Sequence, residues 1–216
     1  MEIRKQILAL KAALPQHVTL VAVSKTKPVS DLMEAYNAGQ RIFGENKIQE
    51  MAEKFEEMPT DIQWHMIGHV QTNKVKVMAS FVSLVHGVDS LKLLQEINKQ
   101  ALKNDRIIDC LLQIHIAEEE TKFGLDELEL QTLLNSEEYK LLNNIKVKGL
   151  MGMATFTDNQ NIVKKEFDFL KLIFDRIASK NSDFKILSMG MSGDFETAIT
   201  CGSTMVRIGS SIFGSR

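Results

Sequence analysis

Eight short apolar runs separated by helical patterns are the feature of this sequence that most limits its fold. Each run is rich in Val, Ile, Leu or Phe and is short, as expected of parallel strands that are covered on both faces. The runs cover residues 19–24, 41–44, 62–68, 83–88, 108–116, 145–154, 184–191 and 204–213.

Helical periodicity fills the segments around and between these runs. A first helix is predicted before the first strand, over about residues 2–14, and Gly39 is placed as the C′ glycine of the second helix. Further helices are predicted over 29–39, 46–58, 71–80, 92–104, 125–135, 161–180 and 194–202, the one at 71–80 being the weakest.

Strands that alternate with helices predict an α/β fold, and eight of them favour a single (β/α)8 barrel over an open doubly wound sheet. The barrel carries an additional N-terminal helix. No glycine-rich linker or break in composition divides the chain, so we expect residues 1–216 to form one domain.

Composition argues against several classes of protein. The net charge is −2, with acidic and basic residues interleaved, so no basic track for nucleic acid is present. No segment reaches the roughly 18 apolar residues that a membrane span needs, and the N-terminus lacks a secretory apolar core. The two cysteines, Cys110 and Cys201, lie in apolar segments, where reduced and buried thiols are expected. We expect a cytoplasmic protein without a nucleic-acid or membrane partner.

The first strand-like run ends in two lysines, in the segment VAVSKTKP (21–28). In a barrel, chemistry is found at the carboxyl ends of the strands. Lys25 is therefore either a solvated lysine at a strand end, the commonest case, or an amine in an apolar mouth that can attack a carbonyl. Pro28 indicates that the chain is already turning at Lys27, so the two lysines are not equivalent.

Small residues follow the seventh and eighth runs, in MGMSGDFETAI (189–199) and VRIGSSIFG (206–214). Barrels often bind phosphate at this place, through backbone N–H groups and residues that let an anion approach. The residues that fit this role are Ser192, Gly193, Gly209, Ser210 and Ser211. Asp194 and Glu196 fit equally well as helix caps without a ligand.

Two further polar features lie in strand-like runs. Arg207 interrupts an apolar run and needs a partner, which is either a structural ion pair or a ligand. His65 and His69 in WHMIGH lack the glutamate and the helical context of a zinc pair, so no metal site is predicted. A lysine amine, a phosphate cradle and an arginine at one mouth fit a cofactor that carries an aldehyde and a phosphate, namely pyridoxal 5′-phosphate (PLP).

Six segments resemble the pyridoxal phosphate homeostasis protein family, single-domain relatives of the N-terminal barrel of alanine racemase. They are VAVSKTKP, FGENKIQE, WHMIGHVQTNK, KGLMGMA, SMGMSGDFETAI and GSTMVRIGSSIFG, and they run in order from about residue 19 to the C-terminus. The resemblance implies that Lys25 forms a Schiff base with PLP, that Arg207 faces the pyridine nitrogen, and that Ser192, Gly209 and Ser210 hold the phosphate. It also implies that Asn46, His65 and Met191 line the pocket.

The resemblance further implies a carrier or buffer of PLP that maintains vitamin B6 homeostasis without robust turnover and without catalytic residues. Apoenzymes that require PLP are the candidate recipients, and a monomer is expected. Arg207 can only donate to the pyridine nitrogen, which weakens the electron sink of the ring. A racemase needs a base on each face of the substrate carbon. Both tyrosines, Tyr36 and Tyr139, fall in predicted helical regions away from the mouth, and no second domain is expected after Arg216.

Two alternatives stay open at this point. One is a low-activity PLP-dependent racemase or lyase that uses the same Schiff base. The other is a barrel that binds a phosphorylated sugar or nucleotide without a covalent bond.

Overall fold

The protein forms a closed barrel of eight parallel strands surrounded by helices, in a computed structural model that describes residues 2–119 and 123–214. Neighbouring strands follow one another along the chain, and the pairing of the first strand with the last closes the barrel. The strands are β1 (Thr19–Val23), β2 (Ile42–Glu45), β3 (Gln63–Met66), β4 (Leu84–Val88), β5 (Ile108–Gln113), β6 (Ile145–Met151), β7 (Ile186–Ser188) and β8 (Met205–Ile208). The predicted fold class is confirmed.

The helices lie outside the barrel, and the first one precedes β1, as predicted. They are α1 (Glu2–Ala13), α2 (Val29–Asn37), α3 (Ile48–Glu57), α4 (Val75–Met78), α5 (Leu91–Lys103), α6 (Glu127–Asn135), α7 (Glu137–Lys140), α8 (Gln160–Ala178), α9 (Phe195–Thr200) and α10 (Ser210–Phe213). The weak segment 71–80 forms only a 3₁₀ turn, Thr72–Lys74, followed by the single turn of α4.

The prediction of a strand over residues 204–213 is wrong in its second half. β8 pairs with β1 only as far as Ile208, and β1 itself ends at Val23. Beyond Ile208 the chain forms α10, which buries Ile212 and Phe213 as a helix and not as a strand. The apolar residues of the run are buried, but hydrophobic periodicity alone does not distinguish a short strand from a single helical turn.

Side chains inside the barrel form two layers of opposite character. The lower layer is apolar and takes one residue from each of seven strands: Val21, Ile42, Leu84, Leu111, Met151, Ile186 and Met205. Two positions further along the strands, the inward side chains are largely polar and are at most 4% exposed: His65, His86, Gln113, Ser188 and Arg207. Since successive inward residues are two apart on a strand, the sequence places this polar layer directly below the mouth.

The remaining core lies between the strands and the helices. α8, for example, buries Val163, Phe167, Leu170 and Phe174, which lie on one helical face. Both cysteine thiols are free and buried in this layer, as predicted. Within residues 2–119 and 123–214, no helix has the length and apolar character that crossing a bilayer requires.

The chain reverses direction after α2 at Gly39, whose backbone conformation is one that favours glycine. Gly39 has φ +89° and donates its N–H to the Tyr36 carbonyl at 2.8 Å. A Cβ at this position would meet nothing closer than the Lys11 Nζ at 3.6 Å, so the cost of a side chain comes from the backbone conformation. We predict that Gly39→Ala lowers the free energy of unfolding by about 1 kcal/mol in urea titrations.

Gly193→Ala is the matched control, because a Cβ there has open space and its φ lies outside the left-handed range. It should change stability by less than about 0.5 kcal/mol. Equal losses for the two variants would contradict the assigned conformation of Gly39.

Candidate functional site

The two lysines after β1 have different surroundings. Lys25 follows the carboxyl end of β1, in a turn closed by the Lys27 N–H and the Ser24 carbonyl at 3.1 Å, and is half-buried. Its Nζ makes no hydrogen bond or ion pair with any described residue. The Lys27 Nζ, by contrast, donates to the carbonyl of Phe213 in α10 at 2.8 Å. Lys25 is therefore the lysine of this pair with an amine available for a ligand.

The backbone on both sides of Lys25 is fixed by side chains of α3. The Lys54 Nζ donates to the Ser24 carbonyl at 2.8 Å, and Glu50 Oε1 accepts the Thr26 N–H at 2.5 Å. Thr26 has φ 63°, an uncommon conformation for a β-branched residue that the surrounding contacts have to stabilise. These contacts hold the main chain on both sides of Lys25 in place.

A buried ion cluster supports this arrangement from behind β1 and β2. The Lys54 Nζ lies 2.7 Å from Oε1 of Glu45 and 2.7 Å from Oε1 of Glu50. The Ser24 hydroxyl donates to the same Glu45 oxygen at 2.6 Å. Burial raises the pKa of the Glu45 carboxyl, while hydrogen bonds from Lys54 and Ser24 oppose that shift. Lys54 thus supplies the charge that allows Glu45 to ionise in a buried position.

Arg207 lies in the polar layer of the barrel, below the mouth. Its Nη1 donates to the Ser188 carbonyl at 2.9 Å and to the Ser188 hydroxyl at 2.7 Å, and its Nη2 donates to the Gly152 carbonyl at 3.0 Å. It forms no ion pair with a carboxylate of the described residues. Burial lowers the pKa of Arg207 to about 10, so the group stays protonated at neutral pH.

The five N–H donors of a guanidinium are only partly used here. Two Nη1 hydrogens and one Nη2 hydrogen are engaged, so the Nε–H and the second Nη2–H have no acceptor in the described part of the chain. Of the two interpretations of Arg207, the structural ion pair is not formed. The free donors are consistent with the alternative, a ligand contact.

Two histidines lie beside this arginine. The His86 Nδ1 is 3.1 Å from the Ser188 hydroxyl oxygen, and the His86 Nε2 is 3.1 Å from the His65 Nδ1. Burial lowers the pKa of His65 to about 3 and that of His86 well below its usual value, so both rings are neutral. His69 is the second histidine of WHMIGH and does not join this pair. Its Nδ1 lies 3.4 Å from Oδ2 of Asp89, and its ring stacks on that of Phe123.

The loops after β7 and β8 meet at the Ser192 side chain. Its Oγ accepts the N–H of Gly209 at 3.2 Å and lies 3.5 Å from the N of Ser211. A Cβ on Gly209 would lie 3.1 Å from the Val23 carbonyl oxygen, so a larger residue would press against β1. The backbone N–H groups of Gly209 and Ser211 therefore converge on the Ser192 hydroxyl, beside the end of β1.

The other predicted site residues are near the mouth but make local contacts. Asn46 is half-buried and its backbone carbonyl lies against Gly68. Met191 is half-buried and donates its N–H to Asp194 at 2.5 Å, while Ser210 is exposed at the start of α10. Asp194 occupies the N-cap position of α9 without a capping bond from its side chain, so it closes the loop and does not cap the helix.

Sequence analysis assigned no role to four residues of this region: Glu45, Lys54, His86 and Ser188. His86 and Ser188 carry a usable signal, because each is a polar residue two positions after an apolar inward residue of its strand. Lys54 carries no such signal, since a lysine in an amphipathic helix is normally solvated.

The family model described as "Alanine racemase, N-terminal domain" matches residues 1–216. A pyridoxal phosphate homeostasis protein of Aquifex aeolicus is 42% identical over 200 residues, 91% of this chain and 86% of that protein. The chain belongs to the pyridoxal phosphate homeostasis protein family. A member of this family from Escherichia coli K12 is 37% identical over 209 residues, covering 94% and 87% of the two chains.

Solved structures agree with this assignment. PipY of Synechococcus elongatus, in a structure with PLP bound, is 30% identical with a TM-score of 0.89, over 98% of this chain and all of that one. An alanine racemase of Clostridium difficile superposes with a TM-score of 0.84 and 16% identity. The match covers all of this chain and 60% of the racemase chain. At that identity the racemase shows a common fold only.

The ion cluster behind Lys25 provides the next prediction. Lys54→Met removes one partner of a buried pair and leaves Glu45 without a counter-charge, so we expect the free energy of unfolding to fall by about 3 kcal/mol. In the wild-type protein Lys54 opposes the rise in the pKa of Glu45, so this pKa should be higher still in the variant. The loss of stability should therefore be small at acidic pH, where Glu45 is protonated, and should grow as the pH rises above the wild-type pKa of Glu45.

Urea titrations at several pH values measure this effect. Lys103→Met, at an exposed position in the last turn of α5, is the control and should cost less than about 0.5 kcal/mol at every pH. A loss for Lys54→Met that does not vary with pH would show that Glu45 is not the group that Lys54 compensates.

Proposed function

We propose that this chain binds PLP at the barrel mouth through Lys25 and serves as a carrier or buffer of the cofactor in vitamin B6 homeostasis. The observation that carries the proposal is the unpaired amine of Lys25, held by its neighbours at a mouth whose floor is a buried and partly unsatisfied arginine. The PLP found in the related PipY structure supports the same ligand.

The residues of the mouth fit the three polar ends of PLP. An amine can condense reversibly with the aldehyde and release water, and we assign this reaction to Lys25. The spare N–H donors of Arg207 suit a pyridine nitrogen that accepts a hydrogen bond. Ser192, Gly209 and Ser210 form the cradle for the phosphate, with Asn46, His65 and Met191 around the ring. These assignments are part of the proposal.

Storage rather than rapid turnover is the role that the electrostatics of this site favour. PLP supplies an electron sink when its ring nitrogen is protonated, and a cationic arginine opposes protonation of that nitrogen. Neither tyrosine is placed to act as a second base: the Tyr36 hydroxyl donates to Asp61, which precedes β3 at the opposite end of the barrel, and Tyr139 lies in α7 before β6. We propose that the protein has no robust catalytic activity.

The remaining parts of the proposal concern the protein as a whole. We propose one PLP-binding domain over residues 1–216, a monomer in the cytoplasm, and PLP-requiring apoenzymes as recipients. The interleaved charges give no reason to propose a nucleic-acid or membrane partner.

Lysine variants test the covalent assignment. Lys25→Ala should abolish the visible absorbance band that appears when PLP is added to the wild-type protein. Lys27→Ala is the matched control and should keep the band, since the Lys27 amine is engaged with Phe213. A band of wild-type intensity in Lys25→Ala would assign the bond to another lysine, and a colourless wild-type protein would favour a phosphorylated ligand without a covalent bond.

Hydrogen exchange of amino acids separates the carrier from an enzyme. PLP-loaded protein incubated with amino acids in deuterated buffer should exchange their α-protons far more slowly than the roughly 1 per second of ordinary enzymes. Mass spectrometry of the amino acids measures this rate. Exchange of any one amino acid at 1 per second or faster would establish a racemase or lyase.

A further inference from the structure

A line of hydrogen bonds crosses the polar layer of the barrel from Arg207 through Ser188 and His86 to His65. The three links are Nη1 to Ser188 Oγ at 2.7 Å, Ser188 Oγ to His86 Nδ1 at 3.1 Å, and His86 Nε2 to His65 Nδ1 at 3.1 Å. All four side chains are buried, so a donor or acceptor that faced the wrong partner could not be satisfied by water instead. The line joins two residues of the candidate site through two that sequence analysis left without a role.

The sense of the first link is fixed by chemistry. An arginine has donors and no acceptor, so the Ser188 oxygen must accept from Arg207. The hydroxyl hydrogen of Ser188 then needs an acceptor of its own. Apart from Arg207, the His86 Nδ1 is the one partner of that hydroxyl in the described part of the chain. Ser188 therefore donates to His86, and the His86 Nδ1 carries no proton.

The remaining links follow from the first. A neutral imidazole with a bare Nδ1 carries its proton on Nε2, so His86 donates to the His65 Nδ1. His65 must then carry its own proton on Nε2. That atom has no hydrogen bond within residues 2–119 and 123–214, and it is not among the solvent-inaccessible side-chain atoms of that part of the chain that lack one. The His65 Nε2–H is thus not sealed inside the protein and can donate to a ligand.

We propose that Ser188 and His86 are positioning residues that impose one hydrogen-bond direction from Arg207 to His65. As a result, His65 offers its Nε2–H to the ligand and has no free lone pair, because its Nδ1 already accepts from His86. The direction belongs to the ligand-free protein. The contact with PLP rests on the function proposed above.

This arrangement restricts what His65 can do at the site. It donates one hydrogen bond to an acceptor of the ligand, and it cannot take a proton from a bound substrate, because its Nδ1 already accepts from His86. A general base needs a free lone pair within reach of the proton. The imidazole that faces the mouth is therefore a binding group and not a base, which deepens the case for storage over turnover.

Nitrogen NMR of ligand-free protein labelled with ¹⁵N-histidine tests the direction without any cofactor. We expect His65 and His86 both to be neutral near pH 7, with the proton on Nε2 in each ring. A proton on Nδ1 of either ring, or an imidazolium at either position, would overturn the proposal. Because no PLP is present, this result stands whether or not the protein binds PLP.

Variants at Ser188 test the source of the direction. Ser188→Ala removes the hydroxyl that donates to His86, so the tautomers of both histidines should become mixed or inverted, and Ser188→Thr should restore them. Ser203→Ala is the matched control, because Ser203 is an equally buried serine whose hydroxyl contacts only backbone carbonyls of the same region. Unchanged tautomers in Ser188→Ala would remove Ser188 from the proposal.

Variants at His65 test the contact with PLP. His65→Gln keeps an N–H donor near the position of Nε2, whereas His65→Leu has none. We expect His65→Leu to bind PLP about fivefold more weakly than His65→Gln, the effect of one ordinary hydrogen bond. Equal dissociation constants would overturn the ligand contact. If no variant and no wild-type protein binds PLP, the proposed function fails and the hydrogen-bond direction is judged by NMR alone.

Discussion

A guanidinium buried inside the barrel without a carboxylate is the interaction on which the rest of the site depends. An isolated ion in a protein interior costs several kcal/mol unless its hydrogen-bonding groups are satisfied. Here the Ser188 and Gly152 carbonyls and the Ser188 hydroxyl satisfy part of Arg207 and hold its plane in one orientation. These charge-assisted bonds offset part of the burial cost, and a ligand acceptor would satisfy more of it. Three members of the polar layer, Ser188, His86 and His65, are connected to this charge by successive hydrogen bonds.

At the outer end of the site, the contacts with α3 are made by the backbone next to Lys25 and not by its side chain. Lys25 is positioned by what holds its neighbours, since Lys54 and Glu50 of α3 bind the backbone of Ser24 and Thr26. The Lys25 amine makes no hydrogen bond with the described residues, which suits the reversible covalent bond proposed for it. A buried cation held by hydrogen bonds and an amine without a partner among the described residues fit the proposed reversible binding of a molecule with two polar ends.

The sequence predicted the architecture because eight apolar runs of strand length, each followed by a helical pattern, have few other solutions. It also placed Lys25 at the end of the first strand, since position at a strand end follows from element order, whereas Arg207 lies within β8, one layer below the mouth. The roles of His86, Ser188 and Lys54 depend on which side chains meet. That is decided by the strand register and by distances between elements, and hydrophobic periodicity in the sequence gives neither. The end of β8 was missed for a related reason: strand pairing with β1, and not hydrophobicity, decides where it stops.

The most direct test of the central claim is reductive trapping of PLP on the wild-type protein. Borohydride treatment followed by peptide mass spectrometry should find one modified residue, Lys25, at a stoichiometry near one per chain. A label on Lys27, or one spread over exposed lysines in place of Lys25, would contradict the account, because the structure then would not select the amine that it leaves unpaired.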